Sequence, residues 1–356
     1  MIASTKSSPS HRHIQLQLAA SITQLNLNPK AAAYATNLFG FDGTGKLRNP
    51  HTLLGAPTSI SNAAEIEAAA VGFRAALLQN VVGEPDPAMM LATEIPSSKA
   101  IENYKWLGDL PQMEEWKNDR IMSMLEAYGW AIENKKWQAT VRVKNDDIAD
   151  DALGLLPVQL AGMGDEARLQ APQLVARVLL NGFDGAVYPE LGDGLSFDGA
   201  FFFSAAHVTG SNLLTVAFSA TNLATATQLL RLQKRFDGRN LGAKGTHLFV
   251  GVEDEALAEK VLKQETLASG ESNTNKGKYT LVVSPEIQLG EWFVTDLSGP
   301  VRPMLFQNRE GIVTTTVGGR SGDVVGFMYD ETWFGAQARN NAGYFDFRRI
   351  VGSKPA

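Results

Sequence analysis

YKWLGDLPQMEEWKNDR, residues 104–120, followed by WAIENKKWQATVRV at 130–143, sets large aromatic rings among closely spaced charges. Trp106, Trp116, Trp130 and Trp137 are four of the chain's six tryptophans. Residues 101–145 carry seven acidic and seven basic side chains, so the segment is highly charged yet neutral in sum. In QATVRV, Ala139, Val141 and Val143 alternate with Thr140 and Arg142, the period-two pattern of a half-exposed strand. A long, charged, tryptophan-bearing hairpin or loop is the expectation for this region.

Outward from it, the 356 residues are long enough for one large domain or two to three smaller ones. Hydrophobic content of 44% and charged content of 20% describe an ordinary soluble chain rather than a disordered or membrane-embedded one. No window approaches eighteen apolar residues, and the first residues, MIASTKSSPSHRHIQLQLAAS, are too polar for a secretory signal, so a cytosolic site of synthesis is expected. There is no cysteine, which removes disulfides, thiolate catalysis and cysteine-bound zinc together. The net charge of −6 is uneven: Lys6, Arg12, Lys30, Lys46 and Arg48 face only Asp42 in residues 1–60, leaving +4 there and −10 in the rest. Such a lightly basic segment reads as an arm and falls short of a nucleic-acid-binding stripe.

Periodicity supplies the elements. Residues 61–81 read as a helix capped by Asn62, with Ile66, Ala70, Phe73 and Leu77 on one face. Between Ile148 and Phe183, Leu156, Leu160, Met163, Ala167, Leu174 and Val178 predict a long amphipathic helix. Pro157 suits its first turn, whereas Pro172 is expected to bend or split it. AFFF at 200–203 reads as a strand, and Asn222–Phe236 as a helix closed by Asp237-Gly238. THLFVGV follows as a strand, Asp254 to Glu265 as a third helix, and ESNTNKGK as a surface loop. The last eighty residues predict strands in YTLVVSPEI, EWFVTDL, RPMLFQ, GIVTTTV, VVGFMYDETWFGAQA and YFDFRRIVG. Blocks of helix and strand in this order make an α+β fold.

Catalytic and metal patterns are weak throughout. GFDGTGKL has the glycine and lysine spacing of a phosphate loop, but Leu47 stands where a hydroxyl should hold magnesium. Asp146, Asp147, Asp150 and Asp151 lack calcium-loop spacing and fit the amino end of a helix, whose partial positive charge they complement. His207 ends an apolar run and reads as hydrogen-bonded structure; His247, His11, His13 and His51 have no metal-ligand spacing. GGRSG at 318–322 reads as a tight turn. No cofactor, metal or catalytic residue is assigned, which leaves binding or assembly.

Several blocks in fixed order then carry a resemblance. YKWLGDLPQMEEWKNDR, WAIENKKWQATVRVKNDDIADDALG, APQLVARVLLNGF, DGAFFFSAAH, WFVTDLSGPVRPMLFQNRE and WFGAQARNNAGYFDFRRIVGSK resemble the Mu-like prophage major head subunit family, gpT. They span Tyr104 to Lys354; residues 1–100 match poorly, and the family's FFDTDHP reads FFFSAAHV here. The resemblance implies the Hong Kong 97-type capsid fold. Its parts would be an N-terminal arm and leading helix at 1–100, an extended loop at 101–147 and a peripheral domain with spine helix at 148–215. An axial domain at 216–310 and return strands at 311–356 would complete it. It implies a major capsid protein of a tailed phage or Mu-like prophage, self-assembling through hexamers and pentamers into an icosahedral shell around double-stranded DNA. The DNA would be held non-specifically, with scaffold, portal and decoration proteins as further partners and no membrane. The protein would be part of the virion, assembled in the host cytoplasm. Trp106, Asp109, Trp116, Asp119, Arg120, Trp130 and Trp137 are then candidate subunit-interface residues, because aromatics and arginine concentrate energy at interface centres. An encapsulin-like nanocompartment shares the fold, and a hydrolase built on Asp193 and Asp198 is the alternative from another class.

Overall fold

The computed structural model describes residues 86–106, 128–149, 155–265, 273, 275–318 and 323–355. The helix expected at 61–81, the phosphate-loop stretch and the histidines of the arm lie outside them, as do 107–127 and 319–322. Two compact units emerge, one within 136–169 and 310–338, the other within 86–135, 170–309 and 339–355.

In chain order the strands and helices begin with β1 (Ala92–Pro96), β2 (Ile101–Trp106), β3 (Tyr128–Glu133), β4 (Lys135–Lys144), α1 (Asn145–Ala149) and α2 (Leu155–Asn181). Next come β5 (Leu213–Leu214), α3 (Ala220–Leu232), β6 (His247–Val250), α4 (Glu255–Lys263), β7 (Thr280–Val283) and β8 (Trp292–Thr295). The chain closes with β9 (Met304–Gly318), α5 (Val324–Tyr329), β10 (Glu331–Tyr344) and β11 (Ile350–Ser353).

The larger unit is built on a five-stranded sheet in the order β5-β11-β8-β6-β7. β6 is antiparallel to β8 and parallel to β7, and β8 is antiparallel to β11. β8 is buried on both faces, which is why WFVT reads as an unbroken apolar run and not as an alternation. On one face Trp292, Val294, Leu248, Val250 and Val351 pack with Leu223, Ala226 and Leu230 of α3 and Ala258, Val261 and Leu262 of α4. On the other, Phe293 meets Phe203 and Phe183 at ring-centroid distances of 5.4 and 5.8 Å. Each fully buried large side chain contributes roughly 1.5–3 kcal/mol, and Trp292 also donates its indole N–H to Val216 O at 3.0 Å.

α3 starts where Ser219 accepts from the Asn222 amide. It ends at Leu232, four residues before the expected Phe236. The buried Gln233 amide donates to Ser211 O at 2.7 Å, and the chain turns through Asp237-Gly238 into a bridge between Lys234 and Asn240. AFFF is not a strand. Phe201 makes one bridge to Leu195, and Phe202 and Phe203 are held in the core by amide bonds to Gly194 O and Gly182 O.

In the smaller unit the leading half of β10 lies between β4 and the trailing half of β9. Thr332, Phe334, Ala336 and Ala338 are buried in alternation, and Ala336 packs with Met163, Ala167 and Ile312. β4 forms as expected, but only part of its predicted inner face is covered: Val143 is buried while Val141 is 40% exposed. RPMLFQ and GIVTTTV join into one fifteen-residue strand, β9, in which the intervening Arg309 is half-buried and Glu310 faces water.

Two further expectations are corrected. Of the two effects expected of Pro172, a split does not occur: the 27-residue helix runs through it from Leu155 to Asn181, with Pro157 in the first turn as expected. From Leu174 to Leu180 that helix is almost entirely buried, and this packing outweighs the missing backbone donor. VVGFMY, read as strand, is helix α5. Asp323 caps its start by accepting from the Val325 amide, and Asp330 closes it in the left-handed conformation at φ 50°.

Candidate assembly interface

β2 and β3 form a two-stranded antiparallel ribbon, Ile101 opposite Glu133 and Trp106 opposite Tyr128. Its outer end leads into residues 107–127; its root is fixed by a set of polar and aromatic contacts. Tyr104 donates its hydroxyl to Gln307 Oε1 at 3.0 Å, and the same buried Gln307 donates to Ile132 O at 3.2 Å. Asn341 donates to Glu133 O at 2.7 Å. Asn134, buried at the foot of the ribbon, donates from its amide side chain to Ser97 Oγ and Lys99 O at 2.6 and 2.8 Å. Ile132 fills the space above Gly343, where any Cβ would run into it.

The predicted interface residues divide accordingly. Trp130 packs within its own chain, with ring centroids 5.6 Å from Tyr104, 6.0 Å from Phe197 and 5.9 Å from Phe345. Trp137 is half-buried on β4. Trp106 ends β2, while Asp109, Trp116, Asp119 and Arg120 lie outside the described residues. Gln307, Asn341 and Gly343, which hold the root, were not singled out from the sequence: nothing in MLFQNRE or ARNNAG distinguishes a buried anchoring amide from a surface one.

The acid–base candidates are structural. His207 Nδ1 lies 2.6 Å from Asp198 Oδ2, and Nε2 lies 3.2 Å from Phe202 O. Asp198 further accepts from the Ala200 amide, and Asp193 from the Leu195 amide, each the cap of a local turn. The two carboxylates named for hydrolysis are thus each occupied locally. Asp146 and Asp147 sit in the first turn of α1, the place the sequence assigns them. Burial and the neighbouring Arg302 lower the pKa of His247, whose Nδ1 pairs with Thr246 Oγ1. Among the described residues no group of three or more ligating side chains could hold a metal, and no helix is long and apolar enough to cross a membrane.

The fold matches a chain of the bacteriophage JBD30 procapsid with a TM-score of 0.51, 22% identity, and coverage of 83% of this chain and 77% of that one. This is the Hong Kong 97-type fold of capsid proteins. The model of the Mu-like prophage major head subunit gpT matches residues 66–217, 211–287 and 288–356, and the chain belongs to that family. The match begins ahead of Tyr104, so part of 1–100 is family sequence as well.

Relatives agree. The Mu-like prophage FluMu major head subunit of Haemophilus influenzae is 24% identical, over 78% of this chain and 70% of that protein. The major capsid protein of Escherichia phage Mu is 27% identical, over 62% of this chain and 97% of that protein. The chain is a major capsid protein, a component of the phage virion, and not an enzyme.

Proposed function

We propose that copies of this chain associate as hexamers and pentamers and close into an icosahedral shell around double-stranded DNA, assembled in the host cytoplasm. Scaffold and portal proteins would be its assembly partners, and the DNA would be held without sequence preference. The observation that carries this reading is the family match running from residue 66 to the carboxyl end. It favours a phage head over an encapsulin-like compartment, because both curated relatives are phage or prophage head subunits.

Within that reading, residues 1–100 are the arm and leading helix and 101–147 the extended loop. Residues 148–215 are the peripheral domain with α2 as spine, 216–310 the axial domain and 311–356 the return strands. Supporting the second assignment, among the described residues β2 and β3 pair with each other and with no third strand. Trp106, Asp109, Trp116, Asp119 and Arg120 would meet a neighbouring subunit, as would Trp137 from β4. Trp130 would hold the root in place. Weak contacts per copy then sum over the lattice.

The test is expression of the chain alone, followed by sedimentation velocity and electron micrographs of the peak. Closed shells or capsomer rings support the reading. A strict monomer that persists when scaffold and neighbouring gene products are added overturns it. Trp116→Ala giving normal shells of unchanged heat stability would remove that residue from the interface.

A further inference from the structure

Positive charge is scarce beyond the first sixty residues and unevenly placed. Residues 61–356 carry −10, yet 199–252 hold five basic side chains and a single acid, Asp237. All five, Arg231, Lys234, Arg235, Arg239 and Lys244, fall within fourteen residues, whereas residues 1–60 spread the same number over their whole length. What remains outside both segments sums to −14, so a polyanion is repelled by most of the chain and attracted here. β4 is the nearest rival, with Lys135, Lys136, Arg142 and Lys144, but Glu133 precedes it and Asp146 and Asp147 follow it.

The fold presents these cations on a braced turn. After α3 the chain doubles back: the Leu241 N–H donates to Gln233 O at 2.9 Å and the Arg235 N–H to Arg239 O at 2.7 Å. Gly238 forms the tip at φ 84°. The Lys234 N–H donates to Thr209 O at 3.1 Å, tying the turn to the body of the larger unit. Phe236 fixes it again, its ring 6.0 Å from that of Phe197 and 5.0 Å from the guanidinium of buried Arg348. Arg231, Lys234 and Lys244 are exposed, and Arg235 and Arg239 half-buried. Asp237 is occupied by Arg239, which donates to it from backbone and side chain. Arg231, Lys234, Arg235 and Lys244 form no ion pair among the described residues.

The surrounding chemistry narrows the partner. The exposed side chains of α3 include Thr221, Thr225 and Gln228, uncharged groups of the kind that contact phosphate oxygens beside lysine and arginine. α3 carries no carboxylate. The turn's one aromatic ring, Phe236, is packed inward and offers no platform for an unstacked base. Unpaired cations and neutral hydrogen-bonding groups, without a stacking ring, fit the backbone of a duplex and read no sequence.

Resting on the reading of a shell that encloses DNA, we propose that the turn at 231–244 is where the subunit touches it. Arg231, Lys234, Arg235 and Lys244 are set against duplex phosphates, and the contact is independent of sequence. Full-length chain not closed into shells, separated by sedimentation, is titrated with a fluorescent duplex and followed by anisotropy. The duplex is about 30 bp of arbitrary sequence, and salt is roughly 50 and 200 mM. The Arg231→Gln, Lys234→Gln, Lys244→Gln triple variant is compared with wild type and with a charge-matched control, Lys136→Gln, Arg142→Gln, Lys144→Gln. Each cation on a phosphate adds about 0.9 to the steepness of log K against log salt. The turn variant should therefore flatten that slope by about 2–3 and bind at least about tenfold more weakly at the lower salt. The control should change neither by half as much. Lys234→Gln alone, at an exposed position, should flatten the slope by about 1 with an unchanged melting midpoint.

Equal losses from the two triple variants would overturn the inference in favour of a diffuse field. So would wild-type chain that binds no duplex at the lower salt, or binding abolished by removing residues 1–60 while the turn variant binds as wild type. Leu232, 57% exposed, follows Arg231. Poly-glutamate bound as tightly as the duplex, and weakened roughly tenfold by Leu232→Ser, would overturn DNA as the partner and assign the turn to an acidic protein segment. A wild-type chain that never assembles counts against the shell reading, and one that assembles while the two triple variants bind alike counts against the turn alone.

Discussion

The imidazole of His207 lies flat on the ring of Phe347, centroids 3.7 Å apart and planes inclined by 9°. With both nitrogens committed, to Asp198 and to Phe202 O, the ring is a three-way junction between the loop at 198–207 and the segment leading into β11. His207→Leu keeps the stacking volume but takes one contact each from Asp198, which keeps the Ala200 amide, and from Phe202 O, which keeps the Asn212 side chain. The expected loss is about 1–3 kcal/mol, the cost of removing buried hydrogen bonds. A fall in thermal midpoint of the subunit checks it, and His207→Ala adding no further loss would show that packing is the minor part.

Asn212 is the neutral counterpart. Its side chain donates to Phe202 O at 2.8 Å and Phe347 O at 3.2 Å, and accepts from the Ser204 amide at 2.8 Å, all in the core. Asn212→Ala takes the acceptor from the Ser204 amide and one of two contacts each from Phe202 O and Phe347 O, and is expected to destabilise by about 1–3 kcal/mol. Asn212→Asp retains the acceptor only and should be at least as damaging, a comparison readable by urea unfolding.

Two glycines make opposite predictions. A Cβ on Gly352 would sit 2.7 Å from Phe203 Cε1, a ring already packed on Phe183 and Phe202. Gly352→Ala should therefore cost about 1–3 kcal/mol through overpacking. Gly162, within α2, has nothing within 4 Å of its missing Cβ. Gly162→Ala should stabilise by roughly 0.5–1 kcal/mol, the helix preference of alanine over glycine. Paired melting curves of the two variants test both at once.

Glu291 supplies a pH dependence. Burial raises its pKa above the ordinary 4.5, opposed by Lys354 and assisted by Asp184, and Oε2 is buried with no hydrogen-bond partner. A carboxyl whose pKa is raised in the folded state stabilises fully below its unfolded pKa, and that contribution is lost as pH rises through the folded value. Glu291→Gln should thus flatten the decline of stability between pH 4.5 and the folded pKa, and raise the midpoint near neutrality. An unchanged pH profile from thermal melts would refute the assignment.

The order of elements and the α+β class were legible because α2 and α4 carry helical periods and β6 and β8 are short apolar runs buried in the sheet. The misreadings have separate physical causes. VVGFMY is rich in residues that favour strands, yet aspartates at both ends supply caps that an apolar count ignores. AFFF is apolar enough for a core strand, but its backbone partners are turn carbonyls. Pro172 breaks helices by local rules, and here the surrounding burial prevails. The ribbon was legible from its charges and alternation; its anchoring amides were not, since a buried glutamine or asparagine leaves no pattern in one sequence.

The root of the ribbon sets how force would travel. Ile132, Glu133 and Tyr104 are tied to Gln307 and Asn341 by bonds close together along two adjoining strands. A pull exerted at the far end of β2 and β3 along their length loads those ties in shear, all at once, instead of peeling them singly. On the proposed assembly, the ribbon would act as a tether with a stiff mooring, and strain arriving through it would pass to β9 and β10 without first unzipping the strands that deliver it.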